Sequence, residues 1–133
     1  MDTSLPWVAV VDDDEAIRRA LLRLLRSAGV AARAYAGGAD FLAALDGGHP
    51  CCVVLDVHMP GLSGLEVQAR LATLAPEVGV IVITGHQTAA EQAQAQLHQP
   101  LAYLGKPVDD QAILDAIGLA CARPPSATGA TPP

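Results

Sequence analysis

With 133 residues, 51% of them apolar, the chain is long enough to bury the core of one domain without cross-links. A formal net charge of -6 with no basic run argues against a surface that tracks nucleic-acid phosphates, but leaves room for a divalent cation. The apolar runs are too short to cross a bilayer, and Met1 to Trp7 lacks the charged start and long apolar body of a signal peptide, so no membrane role and a cytoplasmic location are expected.

In chain order, Val8 to Val11, Val30 to Tyr35, Cys51 to Leu55, Val80 to Ile83 and Leu101 to Leu104 read as five strands. The first, third and fourth are continuously apolar, as parallel strands covered on both faces should be. Between the first two strands, Ile17, Leu21, Leu24, Leu25 and Ala28 recur at helical spacing, with Arg18, Arg19, Arg23 and Arg26 on the other face and Gly29 as the stop. Gly38 to Leu45 reads as a short second helix. Ser63 to Leu74 reads as a third, opened by the capping box Ser63-Gly-Leu-Glu66 and stopped by Pro76. Thr88 to Leu97 has so little apolar content that weak packing is expected, and Asp109 to Cys121 presents Ile113, Leu114 and Ile117 inward. The alternation predicts an α/β domain over residues 6–122 with a doubly wound parallel sheet. Residues 123–133, RPPSATGATPP, read as a disordered tail or linker stub.

Cys51, Cys52 and Cys121 are odd in number and lack metal-type spacing, and neighbours in a strand alternate across it. The expectation is therefore no disulfide framework and three small buried hydrophobes.

In doubly wound sheets, ligands bind beyond the carboxyl ends of the strands. Asp12-Asp13-Asp14-Glu15 follows the first strand, Asp56 the third, Thr84-Gly85 the fourth and Lys106-Pro107 the fifth. Carboxylates gathered from two strands suit a hard cation such as Mg2+, and an aspartate beside it is a plausible nucleophile towards phosphorus. Lys106 and Thr84 would then offset charge on the phosphoryl oxygens, with Gly85 leaving room. Asp14 is read as the N-cap of the first helix. Singly, each residue has an ordinary explanation: acids complement a helix dipole, a lysine is solvated, a tyrosine sits at an edge. Their joint placement carries the argument.

These residues resemble the response-regulator receiver family: VVDDDE for the acidic pocket, LDVHMPGLSG for the acceptor turn, VITGH for the switch threonine and YLGKP for the lysine. The resemblance covers Trp7 to Cys121. It implies a five-stranded flavodoxin-like (βα)5 fold of strand order 2-1-3-4-5 and phosphorylation of Asp56 by a histidine kinase or histidine phosphotransferase. Mg2+ would be held by Asp12, Asp13, Asp56 and the His58 backbone carbonyl, and Lys106-Pro107 would be cis. Thr84 and Tyr103 would be a switch pair that remodels the surface of the fourth helix, fifth strand and fifth helix for a protein target. A homodimer formed on phosphorylation is among the outcomes the resemblance allows.

His58 and His86, two positions after Asp56 and Thr84, are candidates for tuning the acyl-phosphate lifetime, against the alternative of exposed loop histidines with nothing to fix their rotamers. His98-Gln-Pro100, Gly105 and Val108 depart from the family pattern and bear on which partner reads the switch. Enzymatic turnover is not expected beyond self-phosphorylation and dephosphorylation. The rival readings are a haloacid-dehalogenase-like phosphatase, which would put its nucleophile after the first strand and leave Asp56 idle, and a non-phosphorylated scaffold.

Overall fold

The computed structural model describes residues 6–86 and 88–121. The expected tail at 123–133 lies outside the described residues. Strands β1 (Trp7–Val11), β2 (Ala31–Tyr35), β3 (Cys52–Asp56), β4 (Gly79–Thr84) and β5 (Ala102–Gly105) alternate with helices α1 (Glu15–Ser27), α2 (Gly38–Ala44), α3 (Gly64–Leu74), α4 (Ala89–Gln96) and α5 (Asp110–Cys121). All strand pairs are parallel, in the order β2-β1-β3-β4-β5. This is the doubly wound, flavodoxin-like α/β arrangement, and no helix among the described residues is long and apolar enough to cross a membrane.

The pleat divides the core in two. Val8, Val10, Cys52, Val54, Ile81 and Ile83 project towards α1 and α5, where Leu21, Leu25, Ile113 and Ile117 meet them. Ala9, Val11, Val53 and Leu55 face the other way, onto Phe41, Val67 and Leu71 of α2 and α3. Neighbouring residues thus serve opposite faces, which is why the central strands are apolar without a break. A third, smaller cluster of Val57, Leu65, Val82 and Ala95 lies under α4. Ala95 is the buried residue of α4, so the weak packing expected of that helix is observed.

Local chemistry fixes the helix ends. Asp14 accepts from Ala16 N at 2.9 Å and Ile17 N at 3.4 Å, and is the N-cap of α1. Gly29 closes that helix with φ of +77°, in the left-handed region that glycine enters freely. The capping box of Ser63 and Glu66 forms at α3, and a second one, Thr88 with Glu91, forms at α4. Leu45–Gly47 forms a 3₁₀ turn after α2.

The cysteines overturn one expectation. Cys51 and Cys121 are joined in a disulfide, with Cα atoms 5.4 Å apart. Cys51 stands one residue before β3, so strand alternation does not separate it from Cys52, and α5, packed on the same face of the sheet, brings Cys121 to it across 70 residues. Cys52 alone follows the reading of a buried small hydrophobe.

Candidate functional site

The parallel register sets the site. Val11 pairs with Leu55, Asp56 with Ile83, and Thr84 with Gly105, so the residues leaving β1, β3, β4 and β5 emerge at one edge. Asp56 is the last residue of β3 rather than the first after it, and the backbone of Val57 continues the pairing by donating to Ile83 O at 3.0 Å. Gly64 packs beneath that turn and donates to Val57 O at 2.9 Å. A Cβ on Gly64 would come within 2.0 Å of the Asp56 carbonyl oxygen, so only glycine permits this approach.

Asp12 is wholly buried, Asp56 is 3% exposed, and Asp13 faces solvent. One carboxylate oxygen from each lies within 4.8 Å of the others. Asp12 Oδ1 accepts from Asp14 N at 2.9 Å, while its Oδ2 faces the Lys106 ammonium. Asp56 Oδ1 accepts a long 3.4 Å bond from His58 N. Three convergent hard oxygens, two of them from buried carboxylates, fit a divalent cation of the magnesium type. Arg18, at the exposed edge of α1, donates from Nη1 to Asp12 O at 2.8 Å and holds the backbone of this corner, a role that its place in a basic stripe does not betray.

Lys106 supplies the opposing charge. Its Nζ lies 3.2 Å from Asp12 Oδ2 and 3.4 Å from Asp56 Oδ1, on a side chain 23% exposed. Lys106 N donates to Thr84 O at 2.8 Å, and the Lys106-Pro107 peptide is cis, as expected. Burial raises the pKa of the Asp56 carboxyl above its ordinary range and Asp12 raises it further, with Lys106 and the His58 amide pulling the other way. On Lys106, burial disfavours the charge, but Asp12 and Asp56 outweigh it and raise the pKa.

Thr84 is buried. Its hydroxyl donates to His86 O at 2.8 Å and accepts from His86 N at 3.3 Å, closing a small loop over the end of β4. The Tyr103 ring packs partly against the cluster under α4, and its hydroxyl is buried without a partner among the described residues. Burial, and then the charge of Glu91, raise its pKa. The His58 ring is not free: Nε2 lies 3.0 Å from Glu91 Oε2, which corrects the expectation that nothing fixes its rotamer. With Val57, Met59 and Glu91, His58 lines a cleft of about 390 Å³ between the β3–α3 turn and α4. His86 is exposed, and its backbone rather than its ring is engaged.

Residues 8–118 match the response regulator receiver domain family. The chain belongs to that family, the receiver domains of two-component systems. It is 41% identical over 126 residues to transcriptional regulatory protein FixJ of Azorhizobium caulinodans, covering 92% of this chain and 58% of that protein. It is 39% identical to nodulation protein W of Bradyrhizobium diazoefficiens, covering 87% and 51%. The receiver domain therefore spans a little over half the length of these curated relatives. The crystal structure of a response regulator receiver protein from Burkholderia phymatum superimposes with a TM-score of 0.76 at 43% identity, covering 88% of this chain and 95% of that one.

Proposed function

We propose that this receiver domain accepts a phosphoryl group on Asp56 from a phosphohistidine of a histidine kinase or histidine phosphotransferase. The observation that carries the reading is the position of Lys106 Nζ, 3.2 Å from Asp12 and 3.4 Å from Asp56, beside three carboxylates that converge within 4.8 Å. An Asp56 oxygen would attack phosphorus as the bond from phosphorus to the donor imidazole nitrogen breaks, and the departing imidazole keeps the electron pair and takes up a proton. Lys106, already paired with Asp56, would follow the negative charge onto the phosphoryl oxygens.

Asp12, Asp13, Asp56 and, by family resemblance, the His58 carbonyl would hold Mg2+. When bound, the cation neutralises the crowded carboxylates and the incoming phosphoryl oxygens. Thr84 would have to release His86 O to donate to the phosphoryl group, with Gly85 leaving space. That release would reach Tyr103 and the surface of α4, β5 and α5, where a protein target or a second copy of the domain would bind. Membership of the receiver family supports this reading over the phosphatase, which would need the acid after β1 as its nucleophile.

The test is incubation with a small phosphodonor and Mg2+, followed by intact mass and size-exclusion chromatography. One phosphoryl group on the wild type, none on Asp56→Asn and none with a chelator support the proposal. An unlabelled wild type would leave the scaffold reading standing, and continuous turnover of an aryl phosphate would favour a phosphatase.

A further inference from the structure

A second reactive constellation lies at the other end of the sheet, roughly 16 Å of strand from the acidic cluster at about 3.3 Å per residue. Cys51, just before β3, is bonded to Cys121, the last residue of α5. Neither is fully buried, and both line an apolar groove of about 500 Å³ together with Pro6, Val30, Leu114 and Gly118. A small oxidant or thiol can therefore reach the bond. The third sulfur, Cys52, lies within 4.8 Å of the other two but is wholly buried. Burial pushes its thiol up to about 12, which keeps it protonated and out of exchange.

Once reduced, Cys51 has an acceptor within reach: its Sγ lies 3.3 Å from the Trp7 carbonyl oxygen, which also accepts from Cys51 N at 2.8 Å. In a reducing compartment such as the sequence suggests, pairs of this kind open and close with redox conditions rather than serve as fixed staples.

We infer that Cys51 and Cys121 form a reversible redox modification site, oxidised to the disulfide by a hydroperoxide and reopened by a small dithiol, whose state sets how firmly the last turn of α5 is held to the sheet. In the oxidation, the thiolate of one cysteine attacks the distal peroxide oxygen and the O–O bond breaks, giving a sulfenic acid and an alcohol or water. The second thiol displaces the hydroxyl group as water, forming the S–S bond. Two electrons leave the sulfurs and reduce the peroxide. In the reverse direction, an external thiolate attacks one sulfur, a mixed disulfide forms, and the second external thiol releases both cysteines as it becomes oxidised.

The bond closes a 70-residue loop. In the loop-entropy account this should make the oxidised domain melt at least about 5 °C higher than the reduced one. The last turn of α5 should also exchange its amide hydrogens several-fold more slowly when oxidised. None of this depends on Asp56 chemistry, and the result should be the same in Asp56→Asn.

The test uses the full chain, reduced with a dithiol, freed of reductant and titrated with hydrogen peroxide. The expected product is a monomer lighter by two hydrogens, with tryptic peptide 34–70 linked to 71–133, restored by the dithiol. Cys52→Ala should keep the link, and Cys51→Ala and Cys121→Ala should lose it. Because the reduced wild type is its own control, a variant that fails to fold does not obscure the outcome. Three free thiols after peroxide, a link through Cys52, a covalent dimer, or identical melting of the two forms would each overturn the inference.

Discussion

His58 Nε2 lies 3.0 Å from Glu91 Oε2, so the residue two places after Asp56 is tied to the first turn of α4. Glu91 also caps that helix through Thr88, and the Thr88 amide, then the His58 ring, lower its pKa. A depressed carboxyl stabilises the fold above its unfolded value and loses that contribution as pH falls through the lower, folded value. The Glu91 carboxylate's share of the tie should therefore be lost as pH falls below the ordinary 4.5 and through the lower folded value. His58→Ala should free the ring side of the cleft, quicken amide exchange in the first turn of α4 and shorten the Asp56 acyl-phosphate lifetime several-fold by admitting water. Lifetimes measured by phosphoryl release check this, and a lifetime equal to wild type would remove His58 from the mechanism.

Lys106 is the partner that keeps Asp12 and Asp56 in place. Its raised pKa means that its contribution is whole below the ordinary 10.5 and is lost as pH rises past the still higher folded value. Lys106→Ala leaves a buried carboxylate unpaired. Fully buried, that would cost about 3–5 kcal/mol; with Lys106 partly exposed, about 1–3 kcal/mol is expected. Urea unfolding with and without Mg2+ should show the deficit largely recovered by the cation.

For Asp56 it is the charged form that the fold disfavours. Its folded pKa is raised, first by burial and then by Asp12, so its ionisation opposes folding: its relative contribution is intact below the ordinary 3.8 and falls as pH rises through the folded value. At neutral pH without metal, Asp56→Asn should melt a few degrees above wild type, about 1 kcal/mol. Mg2+ at ten times its Kd should stabilise the wild type by about 1.4 kcal/mol and the variant by less. Calorimetry across pH 4 to 8 with and without Mg2+ decides, and a variant less stable than wild type at neutral pH would contradict the account.

Gly64 tests the seat of the acceptor turn. Its missing Cβ would lie 2.0 Å from Asp56 O and 2.8 Å from Val57 Cα, both backbone atoms that cannot swing aside. Gly64→Ala should cost about 1–3 kcal/mol and slow Asp56 labelling by more than tenfold as the turn is displaced. Labelling at the wild-type rate in the folded variant would show that the turn tolerates the shift.

Most of the sheet was legible because continuous runs such as Val8 to Val11 and Val80 to Ile83 permit little else, and the acidic pair, Asp56, Thr84 and Lys106 all stand at predicted strand ends. What stayed hidden are partners brought together by tertiary folding. Arg18 looks like one of a solvated stripe until its reach to Asp12 O is seen. The disulfide partners are 70 residues apart, and Cys51 lies just outside the strand whose alternation was assumed to govern it. Glu91 is a capping residue by spacing, and its second contact, to His58, leaves no trace in periodicity.

Gln68 is the clearest such case, a polar residue on the inward face of α3 at only 2% exposure. Its Nε2 donates to Ala95 O at 2.9 Å, near the end of α4, where that carbonyl otherwise has only the long 3.3 Å bond from His98 N and the cap amide of Leu97. One buried hydrogen bond thus supplements the poor apolar packing of a helix that buries Ala95. Gln68→Met keeps the volume but removes the donor, and should cost about 1 kcal/mol, the net worth of one buried hydrogen bond, since Ala95 O keeps the His98 amide. Because α4 carries so few other contacts, the loss should appear locally. Amide exchange in α4 should accelerate roughly fivefold, while α1 and α5 change only in line with global stability. Uniform acceleration across all helices would instead mean that Gln68 supports the core as a whole rather than the docking of α4.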